Sequence, residues 1–150
     1  YLTGGNKGYS VANNIGLSKV KTKYALVLNP DTKVEINAIE NFLKSAKNYP
    51  DFWLMGPINN QANSIISKDK ELIEVENLKG FAIFFNMKKF NNNFFDENYF
   101  LYFEEIDLCK RVKDNNGVIF LNNEIKVNHE GGLSVNRDFE EELEKNRNWH

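Results

Sequence analysis

Three stretches of the sequence contain the acids and the imidazole that could act on a substrate. Asp31 directly follows one apolar run, His129 follows another, and the acidic cluster at 104–107 follows a stretch rich in aromatic residues. Carboxylate oxygens and neutral imidazole bind divalent cations, and a partly desolvated carboxylate can accept a proton from a substrate hydroxyl. The residue types therefore indicate chemistry assisted by a metal ion, by a general base, or by both.

Asp31 lies in the segment Leu28-Asn29-Pro30-Asp31-Thr32, just past the carboxyl end of a predicted strand. A carboxylate there is well placed to hold a hard divalent cation, which in turn binds diphosphate oxygens. The alternative is a helix N-cap, because Asp and Thr both cap helices and both precede a predicted helix. These few residues by themselves favour the cap slightly over the metal site.

The acidic cluster comprises Glu104, Glu105 and Asp107, at the start of a predicted helix. The helix dipole favours carboxylates at this end by about 0.3–1 kcal/mol each, which accounts for an exposed acid. It does not account for the aromatic residues that crowd the approach to the helix. Aromatic surface desolvates a neighbouring carboxylate, so one acid of the cluster is a candidate general base. The aromatic residues are Tyr99, Phe100, Tyr102 and Phe103.

Two further signals are weaker on their own. His129 stands before the double glycine Gly131-Gly132, and a lone loop histidine is more often structural or merely exposed than a metal ligand. His129 becomes a stronger candidate ligand because it is expected at the same edge of the predicted sheet as Asp31. The Gly-rich opening at 5–16 could bind phosphate through backbone N–H groups, but it matches neither a Walker motif nor a G-x-G-x-x-G fingerprint. A plain turn at the start of a helix is the alternative.

Composition limits the class of protein. The chain has 150 residues, is 41% hydrophobic and 13% aromatic, and has a formal net charge of −2. We expect one domain over residues 1–150 with a real core, and no electrostatic attraction to nucleic acid. A single cysteine, Cys109, excludes an internal disulfide and a multi-cysteine metal site. No apolar run approaches the ~18 residues of a membrane span, and no signal peptide is visible, so a cytoplasmic location is the default.

Strands and helices alternate along the chain, which predicts an α/β fold with a mostly parallel sheet flanked by helices. In such sheets ligands bind beyond the carboxyl ends of the strands. We expect residues 58–79 to form a polar loop or an edge hairpin. We expect the apolar residues of the helix at 35–48 to lie on one face. That face comprises Ile36, Ile39, Phe42, Leu43 and Ala46. The predicted helices are 10–19, 35–48, 104–115 and 140–149, and the predicted strands are 24–28, 52–55, 81–85, 118–121 and 125–127.

Taken in chain order, these segments resemble the family 2 glycosyltransferases of the GT-A fold, and among them the bacterial rhamnosyltransferase-like members. The run from Phe100 to Arg111 together with Leu28–Thr32 is highly specific for that family. The remaining matches are supportive, and the resemblance covers nearly the whole chain up to Ser134. These remaining matches are Asn6-Lys7-Gly8, Asn14, Gly80, Phe95–Glu97 and His129–Ser134.

The resemblance implies a role for each matching residue. Asp31 matches the last acid of a D-x-D-type metal motif, with Asn29 in place of its first Asp. Glu105 matches the base that deprotonates the acceptor, where the family usually has Asp, and His129 matches a position that ligates the metal or contacts the diphosphate. Asn14 and Gly80 match positions that shape the substrate sites. The substrate-binding set that we expect is Asn14, Asn29, Gly80, Glu104 and Asp107.

The implied activity is transfer of a sugar, with inversion, from a nucleotide-diphosphate sugar to an acceptor hydroxyl. Mg²⁺ or Mn²⁺ would be the cofactor. A glycan or lipid-linked sugar would be the acceptor, in cell-surface polysaccharide synthesis, with possible peripheral membrane association. Two alternatives stay open: a non-catalytic binding or scaffolding domain of the same fold, and an unrelated metal-dependent hydrolase that uses Asp31, Glu105 and His129.

Family members carry a nucleotide-binding strand–helix–strand–helix unit before the segment that matches Tyr1. The chain begins at Tyr1 rather than Met and stops at Trp149-His150, inside a predicted helix. We therefore expect the GT-A fold to be incomplete at the amino terminus, and the chain to be the catalytic half of a longer protein.

Overall fold

A computed structural model describes residues 5–59 and 71–129. The helices in these ranges are α1 (Tyr9–Leu17), α2 (Ala38–Asn48) and α3 (Glu104–Asp114), with a short 3₁₀ turn at Met87–Lys89. The strands are β1 (Tyr24–Leu28), β2 (Thr32–Val34), β3 (Phe52–Asn59), β4 (Leu72–Glu74), β5 (Ala82–Asn86) and β6 (Val118–His129). None of the helices in these ranges is long and apolar enough to cross a membrane.

The strands form one mixed sheet in the order β1-β5-β3-β6-β2, with β4 paired to β6. Within the described ranges only β3 and β6 run parallel, whereas the pairs β1–β5, β3–β5, β2–β6 and β4–β6 are antiparallel. The expectation of a mostly parallel sheet is therefore wrong for these strands. An apolar run has the same composition whichever way it points, so strand direction was set by tertiary pairing.

Helices cover both faces of the sheet, as the alternation of elements predicts. Strand β5 is buried along its whole length and sends alternate side chains to opposite faces. On one face Ile83 and Phe85 pack in a cluster with residues of α1 and α3, including Leu17 and Leu108. On the other face, Phe84 stacks against α2 in a second cluster. The result is a three-layer arrangement with a core on each side of the sheet.

The predicted apolar face of α2 is only partly the face that the helix buries. Phe42 and Ala46 are completely buried, whereas Ile36 is 96% exposed and precedes the helix, which begins at Ala38 rather than at residue 35. Ile39 and Leu43 are also exposed. Fully buried Ser45 lies on the inward side instead, where its hydroxyl donates to Glu71 Oε1 at 2.9 Å. The helix is thus rotated so that small and polar residues share the interior with Phe42, and the largest aliphatic residues face outward.

Several strand boundaries and environments also differ from expectation. Strand β1 has the predicted limits, but it is not buried along its length as an apolar run suggests. Val27 is its one buried residue. The predicted stop at Gly56-Pro57 is wrong, because β3 continues to Asn59 beside β6. Pro57 has no N–H to donate to a neighbouring strand, and a register shift interrupts the regular pairing with β6 directly after it.

The two strands predicted at 118–121 and 125–127 are one strand, β6, with an irregularity in the middle. Pairing with β3 jumps from Asn122 to Lys126 between consecutive residues of β3. Buried Asn122 supports this bulge, because its Oδ1 accepts from Glu124 N at 2.8 Å and its Nδ2 donates to Ser45 Oγ at 2.7 Å. Part of the predicted loop at 58–79 is strand β4, and residues 60–70 of it lie outside the described ranges, as does the predicted helix at 140–149.

Gly8 and Gly16 provide a matched test of this account of α1. Gly8 has φ 85° and ψ 171°, a conformation essentially restricted to glycine, and a β-carbon there would lie 2.5 Å from the Phe100 carbonyl oxygen. Gly16 lies inside the helix with open space around it. We expect Gly8→Ala to lower the free energy of unfolding by about 2 kcal/mol or more, and Gly16→Ala to raise it by about 0.5–1 kcal/mol. Urea denaturation measures both; equal effects of the two substitutions would contradict the assignment.

Candidate active site

The segments that carry Asp31 and Gly80 meet at one end of the sheet because β1 and β5 are antiparallel. Leu28, the last residue of β1, is opposite Ala82, the first residue of β5. The segment after β1 and the segment before β5 therefore lie side by side, and Asn29 N donates to Phe81 O at 2.9 Å. At the same end, His129 of β6 is opposite Thr32 of β2.

A tight turn places Asp31 at this end of the sheet. The Asn29 carbonyl oxygen accepts from the Thr32 backbone N–H at 3.2 Å and from the Thr32 hydroxyl at 2.6 Å. Asp31 is followed by β2, and helix α2 begins only at Ala38, with Asn37 as its N-cap. The helix-cap alternative for Asp31 is therefore wrong. Asn29 contributes through its backbone, and its expected contact with substrate stays a prediction.

Asp31 and His129 form the first half of the site. His129 Nε2 lies 3.2 Å from Asp31 Oδ1, and the side chains are 23% and 7% exposed, respectively. The imidazole stacks on the Phe81 ring, with centroids 5.0 Å apart and planes 12° apart. Phe81 thus fixes the plane of the imidazole while the turn after β1 fixes the carboxylate.

Glu105 lies on the other side of Gly80 and Phe81. The position of a β-carbon on Gly80 is 3.7 Å from Glu105 Cβ and 3.8 Å from Glu105 Cδ, so the glutamate side chain packs directly on this glycine. Glu105 is half-buried in the first turn of α3. The contacts run in sequence from Asp31 through His129, Phe81 and Gly80 to Glu105. Phe81 and Gly80, neighbours in the chain, thus contact His129 and Glu105, respectively.

Glu104, the neighbour of Glu105, is the deeply buried acid of the cluster. It is 4% exposed, and its Oε2 has no hydrogen-bond partner within the described ranges. Burial raises the pKa of Glu104 to about 7; the charge of Glu105 adds to the rise, and a hydrogen bond from its own backbone N–H partly opposes it. A carboxyl group in these surroundings is largely neutral below pH 7.

Tyr9 belongs to the site although no sequence signal identified it. Its hydroxyl donates to the Gly80 carbonyl oxygen at 2.6 Å, and its ring packs edge-on against Phe95, with centroids 5.5 Å apart. Burial, followed by the charges of Glu104 and Glu105, raises the pKa of the Tyr9 phenol well above its ordinary value. Its position at the first turn of α1 is 71 residues from Gly80, a separation that sequence spacing does not reveal.

Three of the aromatic residues before α3 are largely exposed. Phe100, Tyr102 and Phe103 are 41%, 45% and 61% exposed, respectively. Glu104, which follows Phe103 in the sequence, is buried. Tyr102 and Phe103 both have φ 70°, the left-handed conformation that costs a non-glycine residue about 1–3 kcal/mol. Two such residues in succession turn the chain sharply and direct the helix that carries Glu105.

Asn14 and Asp107 position the segment that precedes α3. The Asn14 amide clamps Phe95, donating to its carbonyl oxygen at 2.9 Å and accepting from its N–H at 3.0 Å. Asp107 accepts from Arg111 Nε at 2.7 Å, and Arg111 Nη2 donates to the Phe94 carbonyl oxygen. Both side chains are thus engaged in holding this segment, and their expected contact with substrate stays a prediction.

Asp31 and His129 offer two donor groups of the types that bind divalent cations, and their role in metal binding stays a prediction. Within the described ranges no group of three or more His, Cys, Asp or Glu side chains surrounds a common point. Two protein donors are nevertheless sufficient for Mg²⁺ or Mn²⁺ in sites where substrate phosphates and water supply the other oxygens. The carboxylate and imidazole atoms are 3.2 Å apart at a partly open edge, and both donor types suit such an ion.

The raised pKa of Glu104 has a measurable effect on stability. Because Glu104 ionises less readily when folded, its contribution is fully present below its ordinary pKa of 4.5 and is lost as the pH rises through about 7. We expect Glu104→Gln to gain stability relative to the original protein between pH 5 and pH 8, measured by urea denaturation. Glu40→Gln, at an exposed acid of α2, is the control. Parallel pH dependence in all three proteins would refute the assignment.

The chain matches known proteins over most of its length. The family model described as "Glycosyl transferase family 2" matches residues 1–109. A curated relative, the low-salt glycan biosynthesis hexosyltransferase Agl10 of Haloferax volcanii, is 26% identical over 141 residues. The alignment covers 76% of this chain and 46% of the relative, so this chain spans about half the length of that protein.

A solved structure supports the fold independently of sequence. The crystal structure of GalNAc-T7 with UDP, GalNAc and Mn²⁺ matches with a TM-score of 0.72 at 11% identity, over 86% of this chain and 31% of that chain. A likeness at this identity is evidence for the fold alone, here the GT-A fold with helices on both faces of a mixed sheet. Since the family model covers well over half of the chain and the fold agrees with it, the chain belongs to glycosyl transferase family 2.

Proposed function

We propose that the protein transfers a sugar from a nucleotide-diphosphate sugar to an acceptor hydroxyl, with inversion and with the help of a divalent cation. The observation that carries this proposal is the continuous set of contacts from the Asp31–His129 pair to Glu105. These contacts support a site in which Asp31 and His129 hold a cation and Glu105 accepts a proton. Family membership supports glycosyl transfer as the reaction class.

The reaction is a single displacement in which Glu105 is the base. Its carboxylate takes the proton of the acceptor hydroxyl as the hydroxyl oxygen forms a bond to the anomeric carbon. The bond from the anomeric carbon to the diphosphate oxygen breaks, and its electron pair leaves with the nucleoside diphosphate. Attack opposite to the leaving group inverts the configuration at that carbon. The packing of Glu105 on Gly80 limits where the carboxylate can lie.

Asp31 and His129 are the residues that would hold the cation. Mg²⁺ or Mn²⁺ bound there would neutralise the charge that develops on the diphosphate. Phe81 contributes by keeping the imidazole plane fixed, and the turn at Asn29 contributes by orienting the carboxylate. A structural neighbour was solved with UDP and Mn²⁺, which supports a divalent cation and a nucleoside diphosphate as the bound species.

We assign the acceptor side of the site to the exposed aromatic residues beside Glu105. Exposed aromatic patches are typical of ligand-binding surfaces, and aromatic rings present rigid area at low entropic cost. Tyr102 and Phe103 have a strained backbone, with φ 70°, and their side chains are 45% and 61% exposed. Burial of the side chains therefore does not offset the free energy cost of the strain. A sugar ring of a glycan acceptor, lying against them, would place a hydroxyl near Glu105.

The wider role that we propose is synthesis of a cell-surface glycan. The donor sugar would be a hexose or rhamnose, and the acceptor a glycan or lipid-linked sugar. A relative named for glycan biosynthesis and for hexosyl transfer supports this direction. We propose residues 1–150 as the catalytic part of one GT-A domain in a longer protein, working in the cytoplasm at the inner face of a membrane. The single cysteine is consistent with a reducing compartment.

Glu105→Gln tests the proposed base and is made in the full-length protein of which residues 1–150 are proposed to be a part. Gln keeps the size of the side chain but cannot accept the proton, so we expect kcat to fall by about 10²–10⁴-fold with an unchanged unfolding midpoint. Transfer to a glycan acceptor is measured by release of nucleoside diphosphate. Glu40→Gln is the matched control at an exposed acid. Unaltered turnover in Glu105→Gln would remove this residue from the mechanism.

Asp31→Asn tests the cation pair and separates catalysis from the scaffolding alternative. We expect Mn²⁺-dependent binding of a nucleoside diphosphate, measured by titration calorimetry, to weaken by at least tenfold, because Asn has no negative charge to bind the cation. Folding is checked by urea denaturation. If the unmutated protein with its complete amino-terminal half binds neither Mn²⁺ nor nucleoside diphosphate, the non-catalytic role is favoured.

Phe103→Ala tests the acceptor surface separately from the donor side. We expect the acceptor KM to rise about tenfold, since a stacked ring contributes on the order of 1 kcal/mol or more, while the donor KM stays the same. Ile39→Ala is the control, because Ile39 is 50% exposed on α2, away from Glu105. A rise in donor KM alone would contradict the assignment of this surface to the acceptor.

A further inference from the structure

A cavity of about 210 Å³ lies at the other end of the sheet from the proposed transfer site. Because β5 is antiparallel to both β1 and β3, the end of β5 lies beside the start of β3 and away from Asp31. Helix α3 spans the distance, with Glu105 in its first turn and Arg111 and Asn115 on the cavity. A rise of 1.5 Å per residue places these two about 9 and 15 Å further along the axis than Glu105. The cavity is therefore separate from the groups assigned to transfer.

One wall of the cavity is aromatic and rigid. It is formed by Trp53 and Phe90, whose rings pack edge-on with centroids 5.4 Å apart and planes 73° apart. The indole is held from behind by Gly117, where a β-carbon would lie 2.9 Å from Trp53 Cδ2. Both aromatic side chains are only partly buried. They offer an ordered apolar surface to the C–H face of a ring-shaped ligand.

Three asparagine side chains supply hydrogen-bonding groups around this wall. Asn91 and Asn93 line the cavity on either side of Asn92, whose φ of 56° is left-handed and turns the chain. Within the described ranges neither of the two amides makes a hydrogen bond. Asn115 Nδ2 donates to the Arg111 carbonyl oxygen at 2.8 Å, which leaves its Oδ1 as an acceptor. An amide both donates and accepts, as the hydroxyl groups of a sugar require.

Two cations line the cavity, and no acid of the described ranges does. Arg111 donates from Nε to Asp107 and from Nη2 to a backbone carbonyl oxygen, which leaves Nη1 without a partner in those ranges. Lys89 Nζ lies 3.5 Å from Asp51 Oδ1, and the Asp51 side chain is 93% exposed. An ion pair this solvated contributes about 0–1 kcal/mol, so an anionic ligand can replace Asp51 at little cost. The charge of the lining thus favours a negatively charged ligand.

We propose that this cavity is a second sugar-binding site, which takes one sugar residue that carries a carboxylate or a phosphate group. The sugar ring packs on Trp53 and Phe90, its hydroxyl groups bond to the asparagine amides, and its anionic group lies between Lys89 and Arg111. The proposal goes beyond the proposed function, because binding here requires no transfer.

The size and the mixed lining of the cavity distinguish a sugar from other anions. Pockets for drug-sized ligands measure about 300–1,000 Å³, so a volume of about 210 Å³ suits a ligand with a single ring. A bare inorganic anion would use only the two cations and would leave the aromatic wall and the amides without a contact. A charged sugar uses all three parts of the lining.

The experiment follows the ¹⁹F resonance of Trp53 in the full-length protein labelled with 5-fluorotryptophan. Trp53→Phe identifies this resonance by its loss. The protein is titrated separately with glucuronic acid, glucose 6-phosphate, glucose and inorganic phosphate. We expect a saturable shift of the Trp53 resonance with a charged sugar, at a Kd about threefold or more below that of glucose. The tighter of the two charged sugars identifies the anionic group that the site takes.

Lys89→Gln and Lys88→Gln are a matched pair of variants for the same titrations. Both lysines belong to the 3₁₀ turn at Met87–Lys89, but Lys88 is exposed and does not line the cavity. We expect Lys89→Gln to raise the Kd of the charged sugar about threefold or more and to leave that of glucose unchanged. Lys88→Gln should change neither value, and urea denaturation checks that both variants fold.

Four results would overturn the proposal. A Trp53 resonance that shifts with neither charged sugar would show that the cavity does not bind them. Glucose that binds as tightly as the charged sugars would show that charge is not recognised, and inorganic phosphate that does so would show that the sugar ring is not. An equal loss of affinity in Lys88→Gln and Lys89→Gln would show a general effect of surface charge. Each titration is made without a sugar donor, so its outcome is independent of whether the protein transfers sugar.

Discussion

The antiparallel pairing of β5 with β1 is the constraint on which the site depends. It sets the end of β1 beside the start of β5, so that the turn carrying Asp31 lies against the segment carrying Gly80 and Phe81. A parallel β5 would send Gly80 to the opposite end of the sheet, away from Asp31. Because β5 is buried on both faces, its direction is fixed by packing against helices on two sides and is costly to change.

Phe81 and Gly80 are adjacent but serve opposite halves of the site. The Phe81 ring needs bulk, because it forms the flat surface on which the His129 imidazole stacks. Gly80 needs the absence of a side chain on its outer face, where Glu105 packs within 4 Å, while its carbonyl oxygen is held by Tyr9. Two neighbouring residues of opposite size thus connect the pair of cation-binding groups with the carboxylate of α3.

Support for the site extends well beyond the residues that face it. Asn14 of α1 donates a hydrogen bond to the Phe95 carbonyl oxygen, and Arg111 of α3 donates one to the carbonyl oxygen of the preceding residue, Phe94. These hydrogen bonds fix the start of the aromatic segment, and the two left-handed residues Tyr102 and Phe103 fix its end. The first turn of α3 is therefore constrained from both directions. Such preorganisation is what a carboxylate needs if it is to meet a hydroxyl at a set distance.

The sequence by itself determined the element types, the strands around 24–28 and 81–85, helix α3, and the family to which the chain belongs. These features are local: apolar runs, helical spacing and motifs of neighbouring residues. The tertiary structure alone decided the strand directions, the rotation of α2 that exposes Ile39 and Leu43, and the long irregular strand β6. It also decided which acid is buried. Glu104 and Glu105 are the same residue type, but in the folded chain Glu104 is buried and Glu105 packs on Gly80. Burial depends on contacts between residues far apart in the chain, such as Tyr9 and Gly80, and no local pattern contains that information.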